Sequence, residues 1–297
     1  MATTSTVRTA PPVAGHPADR LLDAIERVGS PVCVGIDPVW SKLPAVLRRS
    51  LPEVVGIQRF SEGVVDAVAG RAAAVKLQSA CFERYGAEGF AALAAVAARA
   101  RSRDLVVILD AKRGDIGVSA EHYAEAARGR FDADWTTVNG YLGPEGFAPF
   151  RRGRGAFVLV RTSNPDGGLV QSLRLDDGRT VAEAVAEMVA KAGDESVGAG
   201  GFSDVGAVVG ATHPADAAAL RRRMPRQIFL VPGFGAQGGS ADDVRACFRG
   251  DGRGAVITAS RSVIFAFEPE SEHWIDAVAE AAARFRAEVA EVVRATR

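Results

Sequence analysis

The sequence predicts an α/β fold in which parallel strands and helices alternate around a single barrel. Short runs rich in Val, Ile and Ala recur along the 297 residues, and a turn and a longer helix-favouring segment follow each run. Because these runs are apolar at every position, they are typical of parallel strands that are covered on both faces. Eight such units, in a chain of ordinary length for one barrel, favour a (β/α)₈ TIM barrel over a doubly wound sheet.

The predicted elements follow one another in a regular order. The eight strands are residues 31–36, 73–77, 105–109, 135–138, 156–160, 205–209, 228–231 and 255–258. The Ala, Leu and Arg content of the connecting segments favours helix, as in residues 89–101, 215–223 and 241–248. We expect residues 21–28 to form a helix under the barrel floor and residues 272–294 to form a closing helix.

One connection is much longer than the others. Residues 164–204 form an insertion after the fifth strand, and we interpret it as a decoration on one strand–helix unit rather than as a second domain. Inside the insertion, Asp176-Asp177-Gly178 is a hairpin-turn signal. The turn joins two stretches that are expected to be extended, residues 170–175 and 180–181, and residues 181–192 favour helix.

Composition excludes several classes of function. Lys plus Arg and Asp plus Glu each total 36, so the formal net charge is zero and the chain lacks the basic field of a nucleic-acid-binding protein. The sequence has no apolar stretch near the roughly 20 residues that span a bilayer. Residues 1–18 lack the apolar core of a signal peptide and are expected to be a disordered tail on a barrel domain of residues 19–297. We therefore expect a cytoplasmic protein without a membrane or nucleic-acid partner.

Neither the cysteines nor the histidines have the spacing of a metal site. The three cysteines are odd in number and far apart, so they fit neither a disulfide framework nor a zinc motif and are expected to be buried thiols in a reducing compartment. The four histidines are more typical of surface or helix-end residues. We expect no metal and no cofactor.

Charged side chains stand where the predicted strands end, which is where such barrels place their working groups. Asp37 ends the first strand and Lys76 the second, and Asp110 and Lys112 end the third, with Asp115 shortly after. Strand alternation puts Asp110 and Lys112 on one face. Opposite charges after an apolar strand are costly to desolvate unless each has partners. The pattern predicts an array that holds a lysine charged and in place.

A simpler structural role is also open for each of these residues. Asp110 and Lys112 could form an ion pair that only locks the barrel. Asp37 could be a turn residue, since Asp-Pro favours turns, and Lys76 could be a lysine that reaches solvent from a strand end. The presence of all four charges in one predicted barrel mouth favours the functional interpretation.

Two further loops predict a phosphate site. The seventh strand is followed by Pro232-Gly233-Phe234-Gly235-Ala236-Gln237-Gly238-Gly239, and glycines let the backbone approach an anion closely. The eighth strand is followed by Ala259-Ser260-Arg261-Ser262, which supplies a fixed cation and free amides at a helix start. These are the loops with which such barrels commonly bind phosphate. The residues alone thus predict a barrel enzyme that acts on a phosphorylated small molecule.

The motifs also resemble those of the orotidine 5′-phosphate decarboxylase family. The resemblance rests on Asp110-x-Lys112-x-x-Asp115-Ile116, Val75-Lys76-Leu77-Gln78, the Pro-Gly-x-Gly-x-Gln-Gly loop at residues 232–238, and Arg261, in the right order over residues 20–290. Thr162-Ser163-Asn164-Pro165 and the insertion after it are similar to the longer bacterial subfamily. The shorter bacterial form lacks that insertion, so no role for it follows from the resemblance.

The resemblance implies a role for each matching residue. Lys112 is implied to be the general acid that protonates C6 of the pyrimidine, and Asp110 to hold Lys112 beside the departing carboxylate. Lys76 and Asp37 are implied to bind ribose hydroxyls, and Asp115 and Ile116 to act across a homodimer in the partner's site. Ser163 is implied to contact the pyrimidine edge. The phosphate is implied to be held by Arg261 and by the loop residues Pro232, Gly233, Gly235, Gln237 and Ser260.

Two alternatives follow from the same motifs. The Asp-x-Lys-x-x-Asp run is shared with metal-dependent decarboxylases of the 3-keto-gulonate 6-phosphate type, in which we would expect an acidic ligand at the end of the second strand. Lys76 occupies that position and favours a metal-free decarboxylase that converts orotidine 5′-phosphate to uridine 5′-phosphate in pyrimidine biosynthesis. A non-catalytic phosphosugar-binding barrel is the other alternative, but a binding protein has little need for such a costly array of charges.

Overall fold

The structure, a computed structural model, confirms the predicted barrel and describes residues 15–211, 214–234 and 241–297. Eight parallel strands pair in chain order and close between the first and the last. They are β1 (Val32–Ile36), β2 (Ala74–Gln78), β3 (Val106–Arg113), β4 (Trp135–Val138), β5 (Gly155–Arg161), β6 (Val205–Val209), β7 (Phe229–Pro232) and β8 (Ala255–Ala259). Every strand begins within three residues of its predicted start. At its C-terminal end, β3 extends past the predicted Leu109 and includes Lys112.

Helices cover the outside of the barrel. They are α1 (Pro17–Val28), α2 (Ala45–Ser50), α3 (Glu53–Val68), α4 (Ala80–Glu83), α5 (Gly86–Arg101), α6 (Gly117–Glu125), α7 (Pro144–Phe147), α8 (Gly168–Gln171), α9 (Val181–Gly193), α10 (Pro214–Arg223), α11 (Ala241–Arg245), α12 (Arg261–Ile264) and α13 (Trp274–Thr296). The helix predicted at residues 241–248 ends earlier, at Arg245. Each of the described helices is too short or too polar to cross a lipid bilayer.

Two groups of apolar side chains fill the core because both faces of the strands are buried. Side chains on the outer face of the barrel pack against the surrounding helices, with Phe60 of α3 and Val289 of α13 fully buried. The barrel interior is filled by a second cluster in which Trp135 stacks on Phe157, with 4.3 Å between the ring centroids. Burial on both faces explains why the strands read as continuous apolar runs.

The first helix closes the N-terminal end of the barrel, as predicted. Ala18, Leu21 and Ala24 of α1 are fully buried and belong to the cluster that fills the barrel interior. The helix begins at Pro17, so the predicted tail of residues 1–18 is wrong at its C-terminal end. Residues 1–14 lie outside the described part of the chain.

The insertion contains the short helix α8 and the longer helix α9, and α9 packs against α10. The predicted turn at Asp176-Asp177-Gly178 is present, since the amide of Gly178 donates to the carbonyl of Leu175 at 2.9 Å. Only one bridge, Arg174 to Thr180, flanks the turn among the described residues, so the predicted extended stretch is wrong where α8 occupies its start. Thr180 and Glu183 form a capping box that begins α9.

Candidate active site

The carboxyl ends of the strands surround a cavity of about 480 Å³. Because all eight strands are parallel, their last side chains meet at this one end of the barrel. The cavity wall includes most of the predicted site residues: Asp37, Lys76, Asp110, Lys112, Ser163, Pro232, Gly233, Ser260 and Arg261. Gly235 and Gln237 were also predicted and lie outside the described residues.

Asp110 is the centre of the charged array. Its Oδ2 accepts hydrogen bonds from Lys76 Nζ at 2.6 Å and from Gln78 Nε2 at 3.2 Å. Its Oδ1 accepts from Lys112 Nζ at 2.6 Å and from Thr137 Oγ1 at 2.8 Å. Four donors therefore hold a carboxylate that is only 5% exposed, as a buried charge requires.

The charges in the mouth alternate in sign. Lys76 Nζ also lies 3.6 Å from Asp37 Oδ1, which gives the order Asp37, Lys76, Asp110, Lys112. Burial opposes ionisation of Asp110, but the ammonium groups of Lys76 and Lys112 outweigh it and hold the pKa of the carboxyl well below its usual range. Burial likewise opposes the charge on Lys76, but Asp110 and Asp37 outweigh it and raise the pKa of the ammonium. These two groups stay ionised across the physiological pH range.

Lys112 differs from the other charged groups in its backbone and its exposure. Its φ is 46°, in the left-handed region that non-glycine residues seldom adopt, and the register of β3 on β4 shifts between Leu109 and Arg113. The side chain is 47% exposed, against 7% for that of Asp110. The prediction that both side chains face the mouth is confirmed, but a kink rather than regular strand alternation brings Lys112 there.

Thr137 supports this kink and was missed by the sequence analysis. Its Oγ1 accepts a hydrogen bond from the Lys112 amide at 3.0 Å while donating to Asp110. The only signal in the sequence is a hydroxyl side chain on a strand that is predicted to be buried, since a buried polar group needs a hydrogen-bond partner. Gln78, Thr162 and Asn164 also line the cavity and were not assigned a role.

Asp115 and Ile116 do not line this cavity. Asp115 Oδ1 accepts a hydrogen bond from the Ile116 amide at 2.9 Å, and the Ile116 side chain is 55% exposed. Both residues follow the end of β3 and lie outside the cavity lining. The structure therefore does not bring them together with Asp110 and Lys112 in the same subunit.

Among the described residues, Pro232, Gly233, Phe234, Ser260 and Arg261 line the side of the mouth formed by β7 and β8. Gly233 has φ 101°, and it joins Pro232 in the cavity wall. Ser260 lies against Gly35 of β1. A Cβ at position 35 would lie only 2.0 Å from Ser260 Oγ. Glycine at position 35 leaves room for this hydroxyl. Arg261 starts α12 and is exposed to the cavity.

Two other features of the described residues bear on the chemistry. Within residues 15–211, 214–234 and 241–297, no three His, Cys, Asp or Glu side chains are grouped so that they could hold a metal ion. Burial raises the pKa of the Cys33 thiol, which lies on β1 beside the array, to about 12. That thiol stays protonated and uncharged at neutral pH.

Fold and site together define a class of protein, the barrel enzymes that carry lysine and carboxylate groups at the carboxyl ends of their strands. A sequence model of the Orotidine 5′-phosphate decarboxylase / HUMPS family matches residues 30–273. The chain belongs to this family.

Individual relatives agree with this assignment. A protein named orotidine 5′-phosphate decarboxylase from Rhodopirellula baltica is 44% identical over 286 residues, which cover 88% of this chain and 94% of the relative. Another of that name, from Deinococcus radiodurans, is 42% identical over 79% of this chain and 84% of its own. The solved structure of Leishmania donovani OMP decarboxylase superposes with a TM-score of 0.77 at 32% identity, covering 94% of this chain and 99% of that one.

Proposed function

We propose that this protein decarboxylates orotidine 5′-phosphate to uridine 5′-phosphate in pyrimidine biosynthesis, with Lys112 as the proton donor. The observation that carries the proposal is the Lys112 ammonium, which is fixed 2.6 Å from Asp110 Oδ1 and half-exposed to the cavity. The family also includes the HUMPS branch, but the similar curated relatives are named for the pyrimidine nucleotide.

The reaction needs one bond broken and one proton delivered. The bond between C6 and the carboxylate breaks, carbon dioxide leaves, and the electron pair stays on C6. The Lys112 ammonium lies where it can stabilise that developing charge and then donate its proton to C6. Asp110, which stays ionised, holds Lys112 in place and faces the departing carboxylate.

The remaining wall residues bind the rest of the substrate. Lys76 and Asp37, at one end of the array, bind ribose hydroxyls, and Ser163 contacts the edge of the pyrimidine. Arg261 and the backbone of Gly233 hold the phosphate, with Pro232 and Ser260 beside them in the cavity wall. Gly235 and Gln237, which lie outside the described residues, are assigned to the phosphate from the sequence motif alone. A phosphate held far from C6 supplies binding energy that orders the charged array around the reacting ring.

The proposal includes a homodimer in which Asp115 and Ile116 complete the partner's site. Exposed apolar side chains in the segments after β3 and β4 support it: Ile116, Val118, Tyr123, Tyr141 and Leu142. In a twofold dimer the same residues of both subunits meet at the interface, so each subunit can reach the other's cavity.

The proposal also includes a cytoplasmic location. The chemistry of a soluble nucleotide substrate and the free thiols Cys33, Cys81 and Cys247 support it.

Mixing two inactive variants tests the shared site. In a heterodimer of Asp115→Ala and Lys112→Ala subunits, one site has both wild-type residues if Asp115 acts across the interface. We expect random mixing to restore about a quarter of wild-type activity, since half the dimers are mixed and half their sites are intact. A mixture as inactive as its two components would refute the shared site.

An absorbance assay with orotidine 5′-phosphate, with and without EDTA, tests the function itself. Turnover that EDTA does not change is the expected result. Turnover that EDTA abolishes would favour the metal-dependent alternative, with 3-keto-gulonate 6-phosphate as the substrate to try next. Tight binding of uridine 5′-phosphate without any turnover would favour a non-catalytic binding barrel.

A further inference from the structure

The insertion after β5 is joined to the cavity wall by the side chain of Gln171. Residues 162–164 form the wall between β5 and β6, and Gln171, at the end of α8, lies behind them. Gln171 lines a separate surface groove between the insertion and α10. It is therefore placed to act on the wall from outside the cavity.

The side-chain amide of Gln171 holds Thr162 at both its backbone and its hydroxyl. Gln171 Oε1 accepts a hydrogen bond from the Thr162 amide at 2.9 Å, and Gln171 Nε2 donates to Thr162 Oγ1 at 2.8 Å. Thr162 Oγ1 in turn donates to Asn164 Oδ1 at 2.6 Å. One side chain thus fixes the residues on both sides of Ser163.

A buried arginine sets the orientation of that amide. Arg161, 4% exposed at the end of β5, donates from Nη1 to Gln171 Oε1 at 3.1 Å and from Nε to Asp216 Oδ2 at 2.9 Å. A flipped amide would turn its NH₂ group toward two donors, so the observed orientation is the one that satisfies every partner. The hydrogen-bonded group of Gln171, Thr162 and Arg161 is called the clamp below. Asp216 belongs to α10, so its hydrogen bond with Arg161 connects the clamp to that helix.

The backbone of Gly210 meets the wall from its opposite side, next to β6. Gly210, directly after β6, donates its amide to the Arg161 carbonyl at 2.8 Å. A Cβ at Gly210 would lie 3.0 Å from both the backbone N and the Cβ of Ser163. Ser163 therefore lies closely against the β6 side, while the Gln171 amide holds Thr162 from the other side of the wall.

We infer that Gln171 is a positioning residue that holds Ser163 against the pyrimidine ring, and that this clamp is a function of the insertion. The inference rests on the proposed function, in which Ser163 meets the ring edge. Without the amide, residues 162–164 gain freedom that must be lost again when the ring binds. Binding of a ligand with the ring should weaken, whereas binding of the sugar phosphate alone should not.

The test compares Gln171→Leu with the wild type on two ligands. Leucine keeps a side chain of similar size and removes all three hydrogen bonds. We expect the Kd of uridine 5′-phosphate to rise about tenfold, a loss of about 1.4 kcal/mol, with KM for orotidine 5′-phosphate rising in parallel and kcat nearly unchanged. The Kd of ribose 5-phosphate, which has the phosphate and sugar but no ring, should stay at the wild-type value.

Ser172→Ala is the matched control, because Ser172 is exposed and directly follows Gln171. It should match the wild type on both ligands, and circular dichroism should show the same fold for all three proteins. Equal weakening of both ligands in Gln171→Leu, or weakening of neither, would overturn the inference. If the wild type itself fails to turn over orotidine 5′-phosphate, the proposed function fails first, so the two failures are distinguishable.

Discussion

Buried opposite charges are clustered at both ends of the barrel, and the two clusters use different cations. At the floor, three arginines surround Asp132 and Asp134, which lie directly before β4. The arginines are Arg20, Arg101 and Arg154, and Arg154 lies directly before β5. Asp134 Oδ2 also accepts a hydrogen bond from the Val107 amide at 3.0 Å, so this cluster connects strands with helices. At the mouth, the cations are Lys76 and Lys112.

The choice of cation separates a structural cluster from a chemical one. A guanidinium stays protonated in proteins and binds carboxylates through several fixed donors, whereas an ammonium can give up a proton. The floor side chains of Asp134 and Arg154 are 6% and 5% exposed, but Lys112 is 47% exposed to an open cavity. Buried charge by itself therefore does not identify a catalytic site. A group that can donate a proton and faces a cavity is the stronger indication.

Exchanging the cations tests this comparison with the largest expected effect. Lys112→Arg keeps a positive charge beside Asp110 but removes the transferable proton. We expect kcat for orotidine 5′-phosphate to fall by about 10³-fold, within the range that general acid catalysis contributes. Steady-state assays and the unfolding temperature of the variant measure loss of chemistry separately from loss of fold.

The reverse exchange at the floor is the matched control. Arg101 contacts two carboxylates, Asp132 from Nε and Asp134 from Nη1. Arg101→Lys loses at least one of these two ion pairs and lowers stability. It should retain nearly all of kcat. A large loss of kcat in Arg101→Lys, or wild-type kcat in Lys112→Arg, would mean that the two clusters do not differ in the way we propose.

The arginine at the mouth is expected to serve binding rather than proton transfer. Arg261→Ala removes a cation that the β8 side contributes to the cavity wall. We expect kcat/KM to fall about 10²-fold, as for the loss of strong charge-assisted hydrogen bonds, with the fold intact. Arg249→Ala is the control, since Arg249 lies before β8 and pairs with Asp251. An Arg261→Ala enzyme with wild-type kcat/KM would refute the phosphate role.

Much of this difference between the two ends could be read from the sequence. Continuous apolar runs give the strands, and the polar residue after each run gives the mouth, because parallel strands all end on the same side. That is why Asp37, Lys76, Asp110 and Lys112 were predicted together and are found together. The helix ends were less certain, as at Pro17 and Arg245, because local propensity changes gradually there.

The supporting residues could not be read from the sequence. Thr137 looks like an ordinary strand residue, and its role depends on a kink at Lys112 that strand periodicity does not predict. Gln171 lies in an insertion for which the sequence offered only a turn and a helix. Both act through hydrogen bonds between distant segments, and such pairings follow from the fold rather than from local spacing.

Thr137 offers a sharper test within the mouth, with a moderate expected effect. Thr137→Val keeps the shape but leaves the Lys112 amide and Asp110 Oδ1 each without one partner. We expect kcat to fall about tenfold, the value of one or two net hydrogen bonds, while KM changes little. Thr137→Ser should recover most of kcat, and Thr136→Val, on the opposite face of β4, should have no effect. A rise in KM without loss of kcat would contradict a positioning role.

The smallest effect concerns the pH dependence of stability. The pKa of Asp110 is lowered in the fold, so its stabilising contribution is complete above its unfolded pKa, about 3.9, and is lost as pH falls toward the lowered value. Asp110→Asn has no such proton to bind. The difference in free energy of unfolding between wild type and Asp110→Asn, from urea titrations, should be constant from pH 5 to 7 and narrow below about pH 4. A difference that stays constant down to pH 3 would mean that the lysines at the mouth do not hold the carboxylate ionised, and the contrast with the arginine cluster at the floor would lose its electrostatic basis.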